Sequence, residues 1–374
     1  MKHSHFALLC CAFAYGNAFA IDRVVGPSGL YNTISGAIAA SSDGDRILVE
    51  PANYAEDVLL GKSLSILCNQ EGGRYRLSGS LTLVAPSSKE ILLSGIRVMN
   101  GVFVSGTATS TGRFRMVDSY AFMCILPDPY LLVELYRDTI ATSVIFSAGR
   151  FVGNTILGTA NGGGGVQITG ASQLNEESWV IGNTIGTEYV CFGVEIYNSD
   201  AVFHVENNFI RKSPGTVGMN ITRSDQPSAI ISSIINNTFY MPSGAPATCI
   251  SNANVSYFNL LVKNNAMIGY NAVITTSSGW RQLVQSHNML AAPSWINTST
   301  GAPSQGSPLI NAGDPAPRYL DLDLTTNDVG CYGGSNSRAN FTTPMGGAVV
   351  GFMQAPRVVS QGDAVNISAT GFDR

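Results

Sequence analysis

Charged residues are scarce in this chain of 374 residues: Asp, Glu, Lys and Arg together make up 12% of it, and the formal net charge is −4. No basic patch is visible, so nucleic acid is a poor candidate partner. The sequence also lacks CxxC pairs and Cys/His clusters, so a zinc site is not expected. With 45% hydrophobic residues, the chain does not have the composition of a disordered protein.

Long apolar runs are missing as well. After the first twenty residues, no stretch reaches the about 18 continuous apolar residues that a membrane-spanning helix needs. The beginning of the chain has a different pattern, in which Lys2 precedes an apolar run over 6–15 and small residues follow up to Ala20. This pattern predicts a secretory signal peptide over 1–20, cleaved after Ala20. We therefore expect a secreted or cell-surface protein without a transmembrane segment.

Cysteines are few and widely spaced. Two of the seven lie in the expected signal peptide, which leaves Cys68, Cys124, Cys191, Cys249 and Cys331. An odd number at wide spacing leaves any disulfide pairing open. The simplest expectation is that most of these side chains pack as small hydrophobic groups in the interior.

The chain is rich instead in an Asn-centred phrase that recurs at steps of 23–29 residues. The aligned Asn residues are Asn154, Asn183, Asn208, Asn237, Asn265 and Asn288. A nearly fixed period of this length predicts a solenoid, in which one copy forms one coil that cannot bury its apolar side alone. Asn tolerates left-handed backbone angles, and Asn side chains stacked at about 4.8 Å can hydrogen-bond to one another as a ladder.

Aligning the copies on this Asn shows which residues face inward. The positions three before it and two after it are apolar in the first five aligned copies, as in Phe151 and Ile156. About ten residues further on, a second apolar column predicts a single core stack of Ile168, Ile196, Ile221, Ile250 and Ile274. The spacing fits at least two short strands of about five residues in each coil, stacked in parallel.

The two ends of the repeat resemble a known superfamily. The first is the segment from Tyr31-Asn32-Thr33-Ile34 through Asp43-Gly44-Asp45 to Pro51-Ala52-Asn53-Tyr54, with Asn53 where Gly is usual. The second runs from Gly306-Ser307-Pro308 to Cys331-Tyr332-Gly333-Gly334. Over roughly residues 24 to 340, the chain resembles the pectin-lyase-like right-handed parallel β-helix proteins, which are built from PbH1 repeats.

This resemblance implies an all-β fold: a right-handed parallel β-helix with a short N-terminal capping helix and a β-rich C-terminal cap. We predict the signal peptide over 1–20, the β-helix over 21–340, and a C-terminal β cap or the start of a truncated β-sandwich over 341–374. In this last part, 355–359 and 364–369 have the pattern of strands. A right-handed coil also agrees with the general rule for parallel crossovers.

The superfamily includes polysaccharide lyases, which take a proton beside a uronate carboxylate with a basic side chain. Two outward columns of the alignment supply catalytic candidates, namely Arg150, His204, Glu206 and Lys263. Trp179 lies between the first two, as an aromatic residue in a sugar-binding groove would. The alternative is an ordinary outer face partly covered by loops, because Val152, Ile181 and Ile235 share one of these columns.

Two further groups of polar residues are candidates for binding. On the second predicted sheet, Glu195, Tyr197, Asn220 and Arg223 join Trp179 as candidates for saccharide contacts, although polar columns of this kind are also the ordinary solvent face of a sheet. Near the end of the β-helix lie Asp321, Asp323 and Asp328. Their carboxylates could bind a structural Ca²⁺ ion or cap turns.

Because the charged residues are scattered, we expect an exported β-helix protein that binds carbohydrate or a partner along its solenoid face without demonstrated catalysis. The alternative is a polysaccharide lyase that acts on acidic polymers by β-elimination, so the sequence leaves enzymatic activity open. No cofactor is expected to be required, and a structural Ca²⁺ ion is the one candidate. A polysaccharide or surface glycan is the expected partner, and a monomer is the expected state.

Overall fold

Three long parallel sheets wind around one apolar core in this computed structural model. It describes residues 20–158, 164–190, 193–212, 217–223, 231–242, 248–252, 258–274, 280–341, 349–356, 359, 361–362 and 364–372. Within these residues the sheets have twelve, eleven and ten strands, and successive coils of the chain place parallel strands side by side. In the same residues, no helix is long and apolar enough to span a membrane.

The first sheet consists of Asp22–Val25, Arg46–Val49, Ser65–Cys68, Glu90–Ser94, Gly112–Val117, Leu131–Tyr136, Ala148–Val152, Ser178–Ile181, Phe203–Glu206, Ile231–Ile235, Phe258–Lys263 and Trp280–Ser286. The second consists of Asn53–Tyr54, Tyr75–Leu77, Ile96–Val98, Tyr120–Ala121, Thr139–Ile140, Thr155–Ile156, Thr184–Val190, Phe209–Lys212, Thr238–Tyr240, Ala266–Ile268 and Met289–Ala291. The third consists of Val58–Leu60, Ser80–Val84, Gly101–Ser105, Cys124–Leu126, Ser143–Phe146, Gly165–Thr169, Val194–Ser199, Met219–Arg223, Thr248–Asn252 and Ala272–Ile274.

Short elements cover the ends of this solenoid. The helix Ile34–Ala40 begins after Thr33, whose side chain accepts a hydrogen bond from the Gly36 N–H at 3.1 Å. Its residues Ile34, Ala37 and Ile38 are buried, so the helix covers the open apolar end of the first coil. Single-turn helices follow the last coil at Pro293–Trp295, Pro317–Tyr319 and Arg338–Phe341.

The predicted fold class, an all-β parallel β-helix with a short N-terminal helix and a β-rich C-terminal cap, is confirmed. The cap is an antiparallel hairpin of Val349–Gln354 and Ser368–Phe372. The first strand of the hairpin therefore lies before the predicted 355–359, and the second begins later than the predicted 364–369. The domain boundary at 340 stays a prediction, and the predicted signal peptide lies outside the described residues except for Ala20.

The core columns point as predicted, with one error of register. Phe151 and Ile156 are fully buried, and so are their counterparts in the next four coils, but in the last aligned coil Leu290 is 46% exposed. In the third sheet, however, Ile250 pairs with Met219, and Ile221 pairs with Asn252. The single Ile stack predicted from the alignment is therefore wrong at this step. A shift of two residues keeps the same face inward, so the inward pattern alone cannot reveal it.

Most of the described cysteines are packed in the interior, as predicted. Cys124 and Cys249 are fully buried in the main core, and Cys331 is buried in a smaller cluster beside the second sheet. Cys68 is partly buried. All four described cysteines are free thiols, and Cys191 lies outside the described residues.

The repeated Asn residues form the predicted ladder. The side-chain amide of one Asn donates to the Oδ1 of the Asn in the next coil, at 2.8–3.2 Å from Asn154 to Asn288. The same Oδ1 accepts the backbone N–H of the preceding ladder Asn at 2.7–3.1 Å. The amide also reaches a main-chain carbonyl of the previous coil, as from Asn208 to Val180 at 2.7 Å. The buried turn is thereby provided with hydrogen bonds from coil to coil.

The left-handed backbone position lies one residue before the ladder Asn, not on it. This preceding residue has φ of 54° at Asn207 and Asn236, 56° at Asn264 and 55° at His287. In the two earlier coils it is Gly153 and Gly182, with φ of 66° and 67°. The Asn-Asn pair thus divides two tasks, because the first residue makes the turn and the second makes the ladder.

The ladder continues toward the N-terminus with other side chains. Asn154 Oδ1 accepts the Asp138 N–H at 2.7 Å, and Asp138 Oδ1 accepts the Ser119 N–H at 2.7 Å. Burial raises the pKa of the Asp138 carboxyl well above its usual value, and the nearby Asp118 carboxylate raises it further. A carboxyl group thus occupies a position that the later coils give to a neutral amide.

We predict that Asn208→Ala destabilises the protein by about 2–4 kcal/mol, because it removes the acceptor of the buried Asn183 N–H and a donor to the Val180 carbonyl. Urea unfolding measures the loss. Asn32→Ala is the control, because Asn32 is exposed, and its effect should stay within about 0.5 kcal/mol. Equal effects of the two substitutions would show that the ladder does not stabilise the fold.

We predict that the effect of Asp138→Asn on stability becomes more favourable by about 1–2 kcal/mol between pH 4 and pH 8, because an ionised carboxyl is costly at this buried position. At every pH the substitution also removes the acceptor of the Tyr136 N–H, which donates to Asp138 Oδ2 at 3.2 Å. The pKa of Asp138 is raised by folding, so the wild type loses stability as the pH rises from the unfolded pKa through the folded one. The effect of the substitution should therefore become less favourable as the pH falls toward 4. Thermal unfolding across this range tests the sign, and an effect that does not change with pH would contradict it.

Candidate functional site

The outer face of the first sheet brings together most of the catalytic candidates. Pairing between coils places Arg150, Trp179, His204 and Ser233 in one outward row, as predicted for the first three. The adjacent outward row contains Val152, Ile181, Glu206, Ile235 and Lys263. Because strands keep their neighbours in register, five consecutive coils supply these two rows.

C-terminal segments cover the middle of this face. The Phe352 ring, from the hairpin, lies 4.5 Å from the Arg150 guanidinium carbon and 5.7 Å from the Trp179 ring. Phe341 packs on the turn beside this face, where a Cβ atom on Gly182 would lie 2.2 Å from its ring. The face is therefore partly covered, as the alternative interpretation of the columns proposed, and the covering chain comes from far along the sequence.

A cavity of about 1050 Å³ remains between this face and the covering segments. Its polar and aromatic lining includes Trp179, His204, Glu206, Ser233, Lys263, Arg318, Tyr319 and Asn336. Its apolar lining includes Ile231, Val284, Leu322, Val350 and Met353, which are each at least 42% exposed. The cavity thus has a polar base on the sheet and apolar walls that remain open to a ligand.

The base of the cavity is a chain of side-chain contacts. The rings of Trp179 and His204 are stacked, with centroids 4.0 Å apart and planes at 24°. His204 Nδ1 lies 2.7 Å from Ser233 Oγ, and His204 Nε2 lies 3.2 Å from Glu177 Oε2. The hydrogen bond with His204 lowers the pKa of Glu177, although partial burial opposes the change. Two coils and the segment before Ser178–Ile181 therefore fix both nitrogens of the imidazole.

Glu206 continues this chain on the other side of the serine. Ser233 Oγ lies 3.5 Å from Glu206 Oε1, and Asn336 Nδ2 donates to Glu206 Oε2 at 3.1 Å. Glu206 is only 7% exposed. The carboxylate thus links the sheet to the segment that covers it.

The cationic candidates are held by carboxylates. Arg150 Nη1 lies 2.7 Å from Glu134, and Lys263 Nζ is ion-paired with Asp314 and lies 4.9 Å from the Tyr319 ring centroid. Burial acts to raise the pKa of Asp314, but the hydrogen bond from Lys263 and that of Ala316 N–H leave it below the usual value. Neither cation is placed to receive a proton without breaking an ion pair.

The saccharide-binding candidates do not form one site. Trp179 is on the first sheet, whereas Glu195, Tyr197 and Asn220 are on the third. There Glu195 accepts hydrogen bonds from Gln167 at 2.7 Å and from Asn220 at 3.1 Å and is nearly buried, while Tyr197 is 45% exposed. The side chain of Arg223 lies outside the described residues.

The acidic group near the end of the β-helix caps turns. Asp321 accepts the N–H groups of Asp328 and Gly334, and Asp323 accepts the Thr325 hydroxyl at 2.6 Å. Burial raises the pKa of both Asp321 and Asp328. Among the described residues, no three His, Cys, Asp or Glu side chains are grouped for a metal ion. Calcium at this position stays a prediction.

Sequence reasoning missed Ser233 and Glu177 as partners of His204 and missed all contributions from the C-terminal segments. One feature of the sequence could have indicated the contact of Phe341 with the solenoid. The residue before the ladder Asn is Gly at 153 and 182 but larger in the later coils, and these two glycines lie where Phe341 packs. A change to Gly in a repeated position can thus mark where another part of the chain lies against the solenoid.

Comparison with known proteins adds little. No family model and no curated protein matches the sequence. Among solved structures, the crystal structure of pectate lyase Pel9A aligns with a TM-score of 0.34 and 13% identity, over 83% of this chain and 96% of that one. At this distance the similarity carries no information about activity, and the fold is established by the three parallel sheets.

We predict that Gly182→Ala destabilises the protein more than Gly306→Ala, by about 1–3 kcal/mol. Both glycines have φ near 70°, but a Cβ at Gly182 meets Phe341, whereas a Cβ at Gly306 meets nothing within 4 Å. Thermal unfolding of the two variants measures the difference. Adding Phe341→Ala should remove most of the difference, and no relief would mean that Phe341 does not pack there.

Proposed function

We propose that this protein binds a saccharide in the cavity between the outer face of the first sheet and the C-terminal segments, and that it does so after export, in the medium or at the cell surface. The single observation that carries the proposal is the Trp179–His204 stack in a cavity base that also contains Ser233 and Glu206. Aromatic faces pack against the C–H groups of sugar rings, and the neighbouring polar groups can bind hydroxyls.

The size and the walls of the cavity agree with such a ligand. Its volume of about 1050 Å³ is at the upper end of ordinary small-molecule sites, which gives room for more than one sugar ring. Leu322 and Met353 are 65% and 63% exposed on its walls. Apolar groups left open beside a polar base favour an amphipathic ligand, and a saccharide is amphipathic in this sense.

The charges favour a neutral saccharide. Lys263 is paired with Asp314, and His204 with Glu177, so these two basic side chains already have acidic partners. An acidic sugar would have to compete with Asp314 for Lys263. A neutral sugar needs only hydrogen bonds and ring contacts.

The second candidate function is β-elimination on an acidic polymer, which is favoured by the presence of His204, Glu206 and Lys263 in one cavity. The base of a lyase must accept a proton from the substrate. Lys263 Nζ, the candidate for this role, already donates a hydrogen bond to Asp314. The contacts of Lys263 therefore favour binding over elimination. A monomeric state and a structural Ca²⁺ ion near Asp321 are part of the proposal and await measurement.

We predict that Trp179→Ala weakens saccharide binding at least about tenfold, because the ring platform is lost. Isothermal titration with neutral and uronate oligosaccharides measures the affinity, and Trp179→Phe should recover part of it. Tyr197→Ala, on the third sheet, is the matched control and should bind as the wild type does.

Three outcomes would count against this proposal. If no oligosaccharide of the panel binds, the proposed function is wrong. If only Tyr197→Ala loses binding, the saccharide site lies on the third sheet. New ultraviolet absorbance from unsaturated products of a uronate polymer would show that the protein is a lyase. Thermal unfolding of each variant shows whether a loss reflects the site or the fold.

A further inference from the structure

We propose that Ser233 is a nucleophile that His204 activates and Glu177 positions, and that the cavity removes ester-linked acyl groups from its ligand. The geometry is that of a nucleophile, a base and an orienting carboxylate in sequence, with the hydroxyl 2.7 Å from one imidazole nitrogen and the carboxylate 3.2 Å from the other. The assignment of a saccharide as the carrier of the acyl group rests on the proposed function. The assignment of Ser233 as the nucleophile does not depend on it.

The carboxylate determines which imidazole nitrogen can act as the base. The Glu177 carboxyl, whose pKa is lowered by its hydrogen bond with His204, is ionised at neutral pH and accepts a hydrogen bond from His204 Nε2–H at 3.2 Å. In the neutral ring, Nδ1 then carries the free lone pair. The Ser233 hydroxyl donates to this nitrogen at 2.7 Å in preference to Glu206, which is 3.5 Å away. The assignment reverses the two nitrogens relative to the usual triad but keeps the same chemical roles.

The fold holds these groups rigidly. His204 and Ser233 are paired across neighbouring strands of the first sheet, and Glu177 immediately precedes the strand of the coil before them. Trp179 lies flat on the imidazole and restricts its rotation. Sites built on strands keep their geometry better than sites built on loops.

Ser233 is shielded from bulk solvent, yet it faces the cavity. It is 5% exposed, the His204 side chain is 13% exposed, and both residues line the cavity wall. A hydroxyl in such a place meets a bound ligand more readily than bulk water.

The reaction balances without a cofactor. Ser233 Oγ forms a bond to the ester carbonyl carbon while its proton moves to His204 Nδ1. The bond from this carbon to the alcohol oxygen then breaks, and the alcohol leaves with the proton from Nδ1. A water molecule releases the acyl group as a carboxylic acid through the same two proton transfers, which returns Ser233 to its hydroxyl form.

Diisopropyl fluorophosphate tests the nucleophile directly, because attack by Ser233 forms an O–P bond and expels fluoride. Intact mass and peptide mapping of the full chain should show one adduct, on Ser233. His204→Gln should slow labelling at least about 100-fold, which is the usual contribution of a general base. Glu177→Gln should slow it about tenfold, and Glu177→Asp should restore part of the rate, as expected for a positioning residue.

The neighbouring serine provides the matched control. Ser232 is buried and accepts the Phe203 N–H at 3.3 Å, so Ser232→Ala should keep the adduct while Ser233→Ala loses it. Absence of an adduct on Ser233 in the wild type overturns the proposal, and so does labelling that His204→Gln leaves unchanged. Thermal unfolding shows whether each variant is folded. Labelling requires no saccharide. The absence of an adduct would therefore leave the proposed saccharide binding untouched, and the absence of saccharide binding would leave the proposed nucleophile untouched.

Discussion

The hydrogen bonding of one buried turn determines most of this structure. In a coil of 23–29 residues, the backbone must leave the first sheet and start the second without leaving polar groups unpaired in the interior. The Asn ladder solves this with a side chain that accepts two hydrogen bonds through its oxygen and donates two through its nitrogen, as Asn208 does toward both neighbouring coils. Because the ladder fixes the height of each coil, it also fixes which outward residues become neighbours.

The candidate site follows from this stacking and from a second constraint. Trp179, His204 and Ser233 are adjacent because three ladder turns hold their strands in register. The outer face they occupy also carries Val152 and Ile181, which water would not favour. Phe352 and Phe341 cover these apolar groups, and the space left beside them is the cavity. A site and a packing surface thus share one sheet.

The sequence predicts the coils well because each contains its own pattern. The inward columns through Phe151 and Ile156 repeat, and the row of Arg150, Trp179 and His204 follows from the alignment alone. The register of Ile250 was not predictable, because a shift of two residues leaves the apolar pattern unchanged. The contacts of Phe352 and Asn336 were not predictable either, because they join segments more than 100 residues apart. Periodicity describes a solenoid, but it contains no information about what folds back onto it.

The ladder has a direction. Each amide points its nitrogen toward the next coil and its oxygen toward the previous one, so the amide dipoles add along the solenoid axis from Asn154 to Asn288. The two ends are therefore electrically different, and the oxygen end meets Asp138. There the main-chain N–H of Asp138 donates to Asn154 Oδ1, while the two carboxyl oxygens of Asp138 accept the N–H groups of Ser119 and Tyr136. Growth of such a solenoid by duplication of coils would preserve this polarity.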